Sequence, residues 1–414
     1  MIGLMPEFLT LLPPHIALGK LLGSFIPRIA FEKVHTTEAL NRVTAEPLVA
    51  PHSLPTFPRA TVDGFAVRSK DTHGASATLP AYLELVSEIP MGVDSQIAVL
   101  KGQCALIHTG GMIPKGADAA IMVEHTQQAK AKEIEILRAV AIGENVCQVG
   151  EDTHKGEEII PAGKLLRPAE IGALMALGIT DVRVSCCPKI GIISSGDEVI
   201  PPDQKPKPGQ VRDINSYTLR SLVLRTGGEP FLYGIFPDDY ESLSQTAAKA
   251  LSECELVILT AGSSASERDL TSQVINNLGR PGVLVHGINL RPGKPTILGV
   301  CDGKPVLGLP GNPVSALVVA ELFLKPLIAA LLGRQDYSPW AATSARLTIN
   351  LASQSGREDW IPVRIIESEN ELLAEPIFGK SNLIFTLVQA DGLICIAPDA
   401  NGIAAGEEVK VFFM

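Results

Sequence analysis

Between residues 188 and 332 the chain alternates short, uninterrupted apolar runs with segments of helical period, and no other feature restricts its fold as tightly. Residues 189–193, 230–235, 256–260, 283–288, 296–300 and 305–309 read as strands, and 216–225, 240–252, 270–278 and 313–332 as helices. Strands that are apolar at every position, rather than at every second one, are buried on both faces. Helices between them supply the cover, so the segment predicts a doubly wound, mostly parallel α/β sheet. Ligands of such sheets bind beyond the carboxyl ends of the strands, which directs attention to the loops that follow them.

The rest of the chain has a different texture. Residues 14–25 predict a helix stopped at Pro27, and 37–42 a short helix. From 61 to about 152, β-branched runs separated by glycine turns predict an all-β module, and 168–177 a helix ended by Gly178. Beyond residue 338 only strand-length runs remain, which predicts a small β-barrel or sandwich. A length of 414 residues accommodates two to four domains.

Composition excludes several classes. A hydrophobic share of 46% with 19% charged residues is incompatible with disorder, and 5% aromatics means aliphatic cores. A net charge of -10 excludes a broad basic face for nucleic acid, so any anion site must be local. The seven cysteines are scattered without a C-x-x-C, which fits a reducing compartment and small hydrophobes rather than disulfides or a zinc ribbon. Mean hydropathy of +0.22 raises the question of a membrane span. The best stretch, 318–332, contains Glu321, Lys325 and Pro326, and the N-terminus lacks a basic segment, so a cytoplasmic protein with no membrane partner is expected.

Several loops of the α/β segment can carry chemistry. In 194–198, Ser194, Ser195 and Gly196 can form an anion nest, while Asp197 and Glu198 can hold a hard cation such as Mg²⁺; the bland alternative is a turn with solvated acids. In 262–269, Gly262 and Ser263 permit close approach of a phosphate, and Asp269 can cap the helix expected to open there, contact a ligand, or do both. In 309–316, Asn312 as N-cap and Pro313 at the first helical position predict a fixed helix entrance. Arg291 and Lys294 sit on a proline-stiffened turn, which in an acidic protein is either a specific anion site or an ordinary solvated turn. Asn215 is expected to cap the helix after it, and Asp238 and Asp239 follow another strand. The β module contributes Asp63 before a glycine turn and a glycine-rich loop at 108–118. Zinc spacing, G-x-S-x-G, G-x-G-x-x-G and Walker A patterns are all missing, which disfavours hydride transfer and P-loop hydrolysis.

Taken in order, the segments 58–67, 109–118 with 123–124, 150–152 with 155–156, 194–198, 210–216, 262–269, 291–295 and 309–316 resemble the molybdopterin molybdenumtransferases, the MoeA and gephyrin E-domain family. The resemblance implies a multidomain α/β plus β protein. Its pieces are an N-terminal helical segment at 1–30, a small α+β linker domain from 31–57 and 153–186, an inserted β-rich module at 58–152, a molybdopterin-binding α/β domain at 187–333 and a C-terminal β-barrel at 338–414. It implies insertion of molybdate into adenylyl-molybdopterin with release of AMP, with Mg²⁺ as cofactor. It also implies a homodimer with an inter-subunit active site, and molybdopterin adenylyltransferase as pathway partner. Carried over by motif position, Asp63, Glu198, Asp239 and Asp269 would do the metal and catalytic work. Thr109 and Asp152 would contact substrate, Ser194, Ser195, Gly196, Gly262 and Ser263 would line the pterin phosphate, Arg291 and Lys294 would hold molybdate or phosphate, and Pro310, Gly311, Asn312, Pro313 and Ser315 would shape the pocket.

Where the family carries S-G-G-V-S-x-G, this chain has Ala261-Gly262-Ser263-Ser264-Ala265-Ser266-Glu267. A serine forced into a glycine conformation costs on the order of 1 kcal/mol, and Glu267 adds negative charge. These changes motivate an alternative, a catalytically impaired molybdopterin-binding carrier. Arg291 stands at a commonly Lys position, keeping charge while changing hydrogen-bond geometry.

Overall fold

The computed structural model describes residues 11–94, 96–261, 265–338, 340–368 and 371–414, and of the helix beginning at Ala265 the side chains from Leu270 onward. The chain divides into two compact units. Glu46–Ala162 and Pro168–Thr180 form the smaller, and Met1–Ala45, Gly163–Arg167 and Asp181–Met414 the larger.

The larger unit is organised by a six-stranded sheet in the spatial order Glu229–Phe236, Lys189–Ser195, Leu256–Ala261, Lys304–Pro310, Ile297–Cys301, Pro281–His286. The first four strands run parallel, Ile297–Cys301 runs against them, and Pro281–His286, antiparallel to Ile297–Cys301, runs in their direction again. Alternate residues face separate cores. Leu256 and Ile258 pack with Leu219, Val223 and Phe323, while Val257 and Leu259 pack with Leu243, Ala247 and Val274. Both faces are therefore apolar, which is why these strands show no period of two. The doubly wound sheet read from the sequence is present.

Helix ends follow local chemistry. Asn215–Thr226 stops at Gly227, whose left-handed φ of 94° a side chain would strain. The expected Asn215 cap is corrected: Asn215 is the first helical residue, and Asp213 Oδ1 accepts the Ser216 N–H at 3.1 Å instead. The helix expected from 270 begins at Ala265, so Asp269 lies inside it rather than at its start. The apolar C-terminal helix runs Pro313–Val319, a π turn Ala320–Leu324, then Lys325–Leu331. Pro326 has no N–H for the Leu322 carbonyl, and the wider turn absorbs that loss. This 19-residue stretch has the length and hydropathy of a membrane span, but 78% of its apolar window is buried within the protein, as a core helix requires. The N-terminal helix is Pro14–Leu22, ended at Gly23 before Pro27 is reached, and the expected helix at 37–42 is a single 3-10 turn, Thr36–Glu38.

The C-terminal strands Glu358–Glu367, Leu372–Pro376, Ala342–Leu347, Glu408–Phe413 and Gly392–Ile396 close back on the first, making a barrel of five. Closure removes the exposed edges that so small a sheet would otherwise present. Leu290–Arg291, in the connection between Pro281–His286 and Ile297–Cys301, adds to it as a parallel partner of Glu358–Asp359.

In the smaller unit six strands lie in the order Ala119–Met122, Gly64–Val67, Gln103–Ile107, Ala81–Glu88, Glu133–Ile136, Thr126–Lys130. The last of these escaped the sequence reading because its Thr-Gln-Gln-Ala-Lys sequence is polar on both faces, as suits an exposed edge strand.

Candidate functional site

The four parallel strands end in register. Ser195 is opposite Phe236, Ser194 opposite Thr260, and Ala261 opposite Pro310. Every loop that follows them therefore leaves from one edge of the sheet, which the topology of a doubly wound fold makes the place for a ligand.

At one end of this edge a cavity of about 1210 Å³ lies against the barrel. Of the residues singled out in the sequence it is lined by Arg291, Lys294, Pro310, Asn312 and Ser315. Among the described residues its charged lining is Arg291, Lys294, Arg357 and Lys380 against the carboxylate Asp359, an excess of cations in a chain whose net charge is -10. Neither lysine has an ion-pair partner among the described residues. Asp359 accepts from Arg357 Nε at 2.8 Å and from Arg291 Nη1 at 3.4 Å. The Pro313 helix entrance is fixed from two sides: Val314 N–H donates to the Ser381 carbonyl at 3.0 Å, and Asn215 Nδ2 donates to the Gly311 carbonyl at 2.8 Å. Asn312 occupies the N-cap position without a side-chain capping bond, a correction to its expected role there, and Pro313 follows at the first position.

Ser194, Ser195, Gly196, Glu198 and Asp239 are not part of that lining. Ser194 and Ser195 are buried strand residues rather than loop residues, each within 3.4 Å of a Thr260 oxygen. A Cβ on Gly196, whose φ is 146°, would stand 2.8 Å from Glu198 Oε2, so the glycine lets the Glu198 carboxylate fold back over the strand end. Asp239 caps the helix Tyr240–Glu253, and the Ser242 N–H that it accepts at 2.9 Å holds its carboxyl below the usual carboxylate range. Glu198 and Asp239 thus follow the strands one and two places from Leu256–Ala261 in the same sheet. Gly262, Ser263 and the Asp269 side chain lie outside the described residues.

On the smaller unit, Asp63 and Thr109 meet directly: Asp63 Oδ1 accepts the Thr109 N–H at 2.8 Å and its hydroxyl at 3.2 Å. The backbone bond foremost, then the hydroxyl and the His108 ring, hold the Asp63 carboxyl below its ordinary value although its side chain is 66% exposed. His108 Nε2 is 2.9 Å from Glu88 Oε1. The Asp63 position depends on the next residue, because a Cβ on Gly64 would meet the Ile121 carbonyl oxygen at 1.9 Å. Asp152 is exposed, and its N–H donates to the Leu54 carbonyl at 3.0 Å.

Sequence reasoning missed the barrel's share of the cavity, namely Ser355, Arg357, Asp359, Lys380, Ser381 and Asn382. The signals were faint: the charged run Arg357-Glu358-Asp359 at the start of an apolar strand, and a cation in the turn Gly379-Lys380-Ser381.

An α/β sheet with a cationic cavity at its carboxyl edge, a closed five-stranded barrel and a β-rich unit together define a multidomain α/β plus β protein with a local anion site. Three family models match in succession. The MoeA N-terminal region (domain I and II) covers 13–178, the "Probable molybdopterin binding domain" covers 191–330, and the MoeA C-terminal region (domain IV) covers 344–413. The chain belongs to the MoeA family. A Methanocaldococcus jannaschii protein is 35% identical over 392 residues, 92% of each chain. A Nostoc sp. molybdopterin molybdenumtransferase is 32% identical over 385 residues, 92% of this chain and 88% of its own. The crystal structure of the molybdopterin biosynthesis MoeA protein from Pyrococcus horikoshii OT3 superposes with a TM-score of 0.85 at 34% identity, covering 98% of this chain and all of that one.

Proposed function

We propose that this chain is a molybdopterin molybdenumtransferase, inserting molybdate into adenylyl-molybdopterin with release of AMP to give molybdenum cofactor. The observation that carries the reading is the cavity at the carboxyl edge of the sheet, where the described residues supply four cations and one carboxylate. A dianion leaving water needs fixed cations and N–H donors in a site of restricted solvent access, and an otherwise acidic protein gains such a site only by local construction. In this reading Arg291 and Lys294 hold the oxyanion, with Arg357 and Lys380 facing it from the barrel. Pro310, Gly311, Asn312, Pro313 and Ser315 shape the wall. Ser194, Ser195, Gly196, Gly262 and Ser263 line the neighbouring phosphate position, with Thr109 and Asp152 contributing from the β-rich unit.

The carboxylates are assigned to the adenylyl phosphate chemistry. Their donor atoms are all carboxylate oxygens, the class Mg²⁺ selects. Among the described residues no group of three or more His, Cys, Asp or Glu is placed to hold a metal unaided. Mg²⁺ usually takes one or two protein carboxylates and completes its shell with water and substrate phosphate, so these residues fit an ion that arrives with the nucleotide. Asp63, Glu198, Asp239 and Asp269 would hold it, and when bound it neutralises charge that develops on the phosphate. Thr109 orients the Asp63 carboxylate for that purpose through two hydrogen bonds, and Glu198 and Asp239 supply negative charge after neighbouring strands of the sheet. The chain is assigned to the cytoplasm, as a homodimer whose active site draws on both subunits, and receives its substrate from molybdopterin adenylyltransferase.

The carrier alternative is not favoured, because close relatives bear the transferase name. The cavity assignment is tested by calorimetric titration of molybdate alone. Binding lost in Lys294→Ala supports it, and binding unchanged in Lys294→Ala and Lys380→Ala together contradicts it.

A further inference from the structure

Among the described residues Asp359 is the one negative charge lining the cationic cavity, and it is 2% exposed at the second position of the barrel strand Glu358–Glu367. Its two oxygens gather two guanidiniums from different parts of the fold. Arg357 donates Nε at 2.8 Å and Nη2 at 3.4 Å from the turn before the strand, and Arg291 donates Nη1 at 3.4 Å from the α/β segment. The backbone enforces the meeting, since Leu290–Arg291 pairs with Glu358–Asp359, residue against residue. Each guanidinium has five N–H donors, so the bonds to Asp359 leave several free. The Arg291 side chain keeps 64% of its surface exposed, and both arginines line the cavity.

A carboxylate beside an anion site is unfavourable to the field of that site. Any benefit it gives must come from geometry: two long, flexible cations are held where the ligand meets them, and their ordering is completed on folding rather than on binding. We propose that Asp359 is a positioning residue that clamps Arg291 and Arg357 into one preorganised oxyanion receptor shared by the α/β segment and the barrel. The proposal rests on the reading of the cavity as the molybdate site. It also gives a role to arginine at position 291, since a planar fork can bond Asp359 and a ligand together while an ammonium serves as a point charge.

The sign of the effect separates the clamp from simple electrostatics. Molybdate alone is titrated into the full chain and into Asp359→Asn, Asp359→Glu and Arg291→Lys. Loss of a charge-assisted anchor predicts affinity about tenfold weaker in Asp359→Asn, partly recovered in Asp359→Glu. Arg291→Lys weakens binding too, and the double variant is less than additive. In turnover, Asp359→Asn raises the KM for molybdate and leaves kcat unchanged at saturation, a split that general loosening of the fold would not produce. Affinity that rises or stays level in Asp359→Asn overturns the proposal. Should Asp359→Asn fail to fold, unchanged affinity in the exposed Arg291→Lys overturns it equally. Wild-type protein that binds no molybdate overturns the cavity reading and this inference with it, whereas normal wild-type binding with an unmoved Asp359→Asn overturns this inference alone.

Discussion

Asn215 donates its side-chain amide to the carbonyl oxygen of Gly311 at 2.8 Å, tying the start of one helix of the α/β segment to the turn that opens another. Asn312 makes no capping bond, so this contact and the Val314 N–H on Ser381 are what fix the helix entrance at Pro313, beside the cavity-lining Asn312 and Val314. Asn215→Ala removes the donor and leaves a carbonyl unpaired, at a cost of about 1–3 kcal/mol. A lower thermal midpoint and weaker molybdate binding are expected, and Asn215→Asp, which sets a carboxylate against the carbonyl, should cost more. Scanning calorimetry on both variants checks the order.

Asp63 titrates below its ordinary value of 3.8, chiefly through the Thr109 backbone N–H. Because the folded value is the depressed one, its contribution to stability is complete above 3.8 and fades as pH falls through the lower folded value. Thr109→Val removes the hydroxyl bond but keeps the backbone bond, so the Asp63 titration should move up part of the way and remain below 3.8. Carboxyl carbon NMR reads both positions. A titration in wild type at or above the ordinary value would contradict the account of this loop.

Glu321 is 2% exposed on the π turn and pairs with Arg225 and, at 2.8 Å, with Lys325. Lys325 also lies 4.6 Å from the centre of the Trp340 ring. Removing one partner of a buried ion pair leaves the others uncompensated, so Glu321→Ala should destabilise the protein by about 3 kcal/mol. Lys325→Met, which removes a charge but preserves packing on Trp340, should cost less. Thermal midpoints of the two variants, compared with wild type, test that ranking.

Burial pushes the thiols of Cys104, Cys301 and Cys395 up to about 12. At pH 8 only about one part in ten thousand of each is thiolate, the reactive form. A thiol reagent at that pH should leave all three unmodified in the native protein and label them after denaturation. Rapid native labelling, read by mass spectrometry, would contradict the reading of these cysteines as core residues.

The α/β sheet was legible because burial on both faces leaves its mark in the sequence as apolar runs, and the helix at 168–177 because Gly178 ends it through left-handed geometry. Thr126–Lys130 was hidden because an edge strand without a buried face has no alternation to read. On the cavity, Arg291, Lys294, Pro310, Asn312 and Ser315 announced themselves by clustering in short loops. Asp359 and Lys380 did not, because they reach the cavity only once the barrel closes and pairs with Leu290–Arg291, a contact between residues some seventy apart or more. That Asn215 is no cap, and that Asn312 holds the N-cap position without a capping bond, share a cause. Residue type marks a helix start, but the neighbour that takes the side-chain bond is chosen by tertiary structure.

The central claim is tested most directly by measuring AMP from the full-length protein loaded with adenylyl-molybdopterin. AMP should appear only when both molybdate and a divalent cation are present, and Asp63→Asn and Glu198→Gln should each abolish it while the protein stays folded. A loaded protein that never releases AMP, or one whose release ignores molybdate and survives both substitutions, would contradict the account.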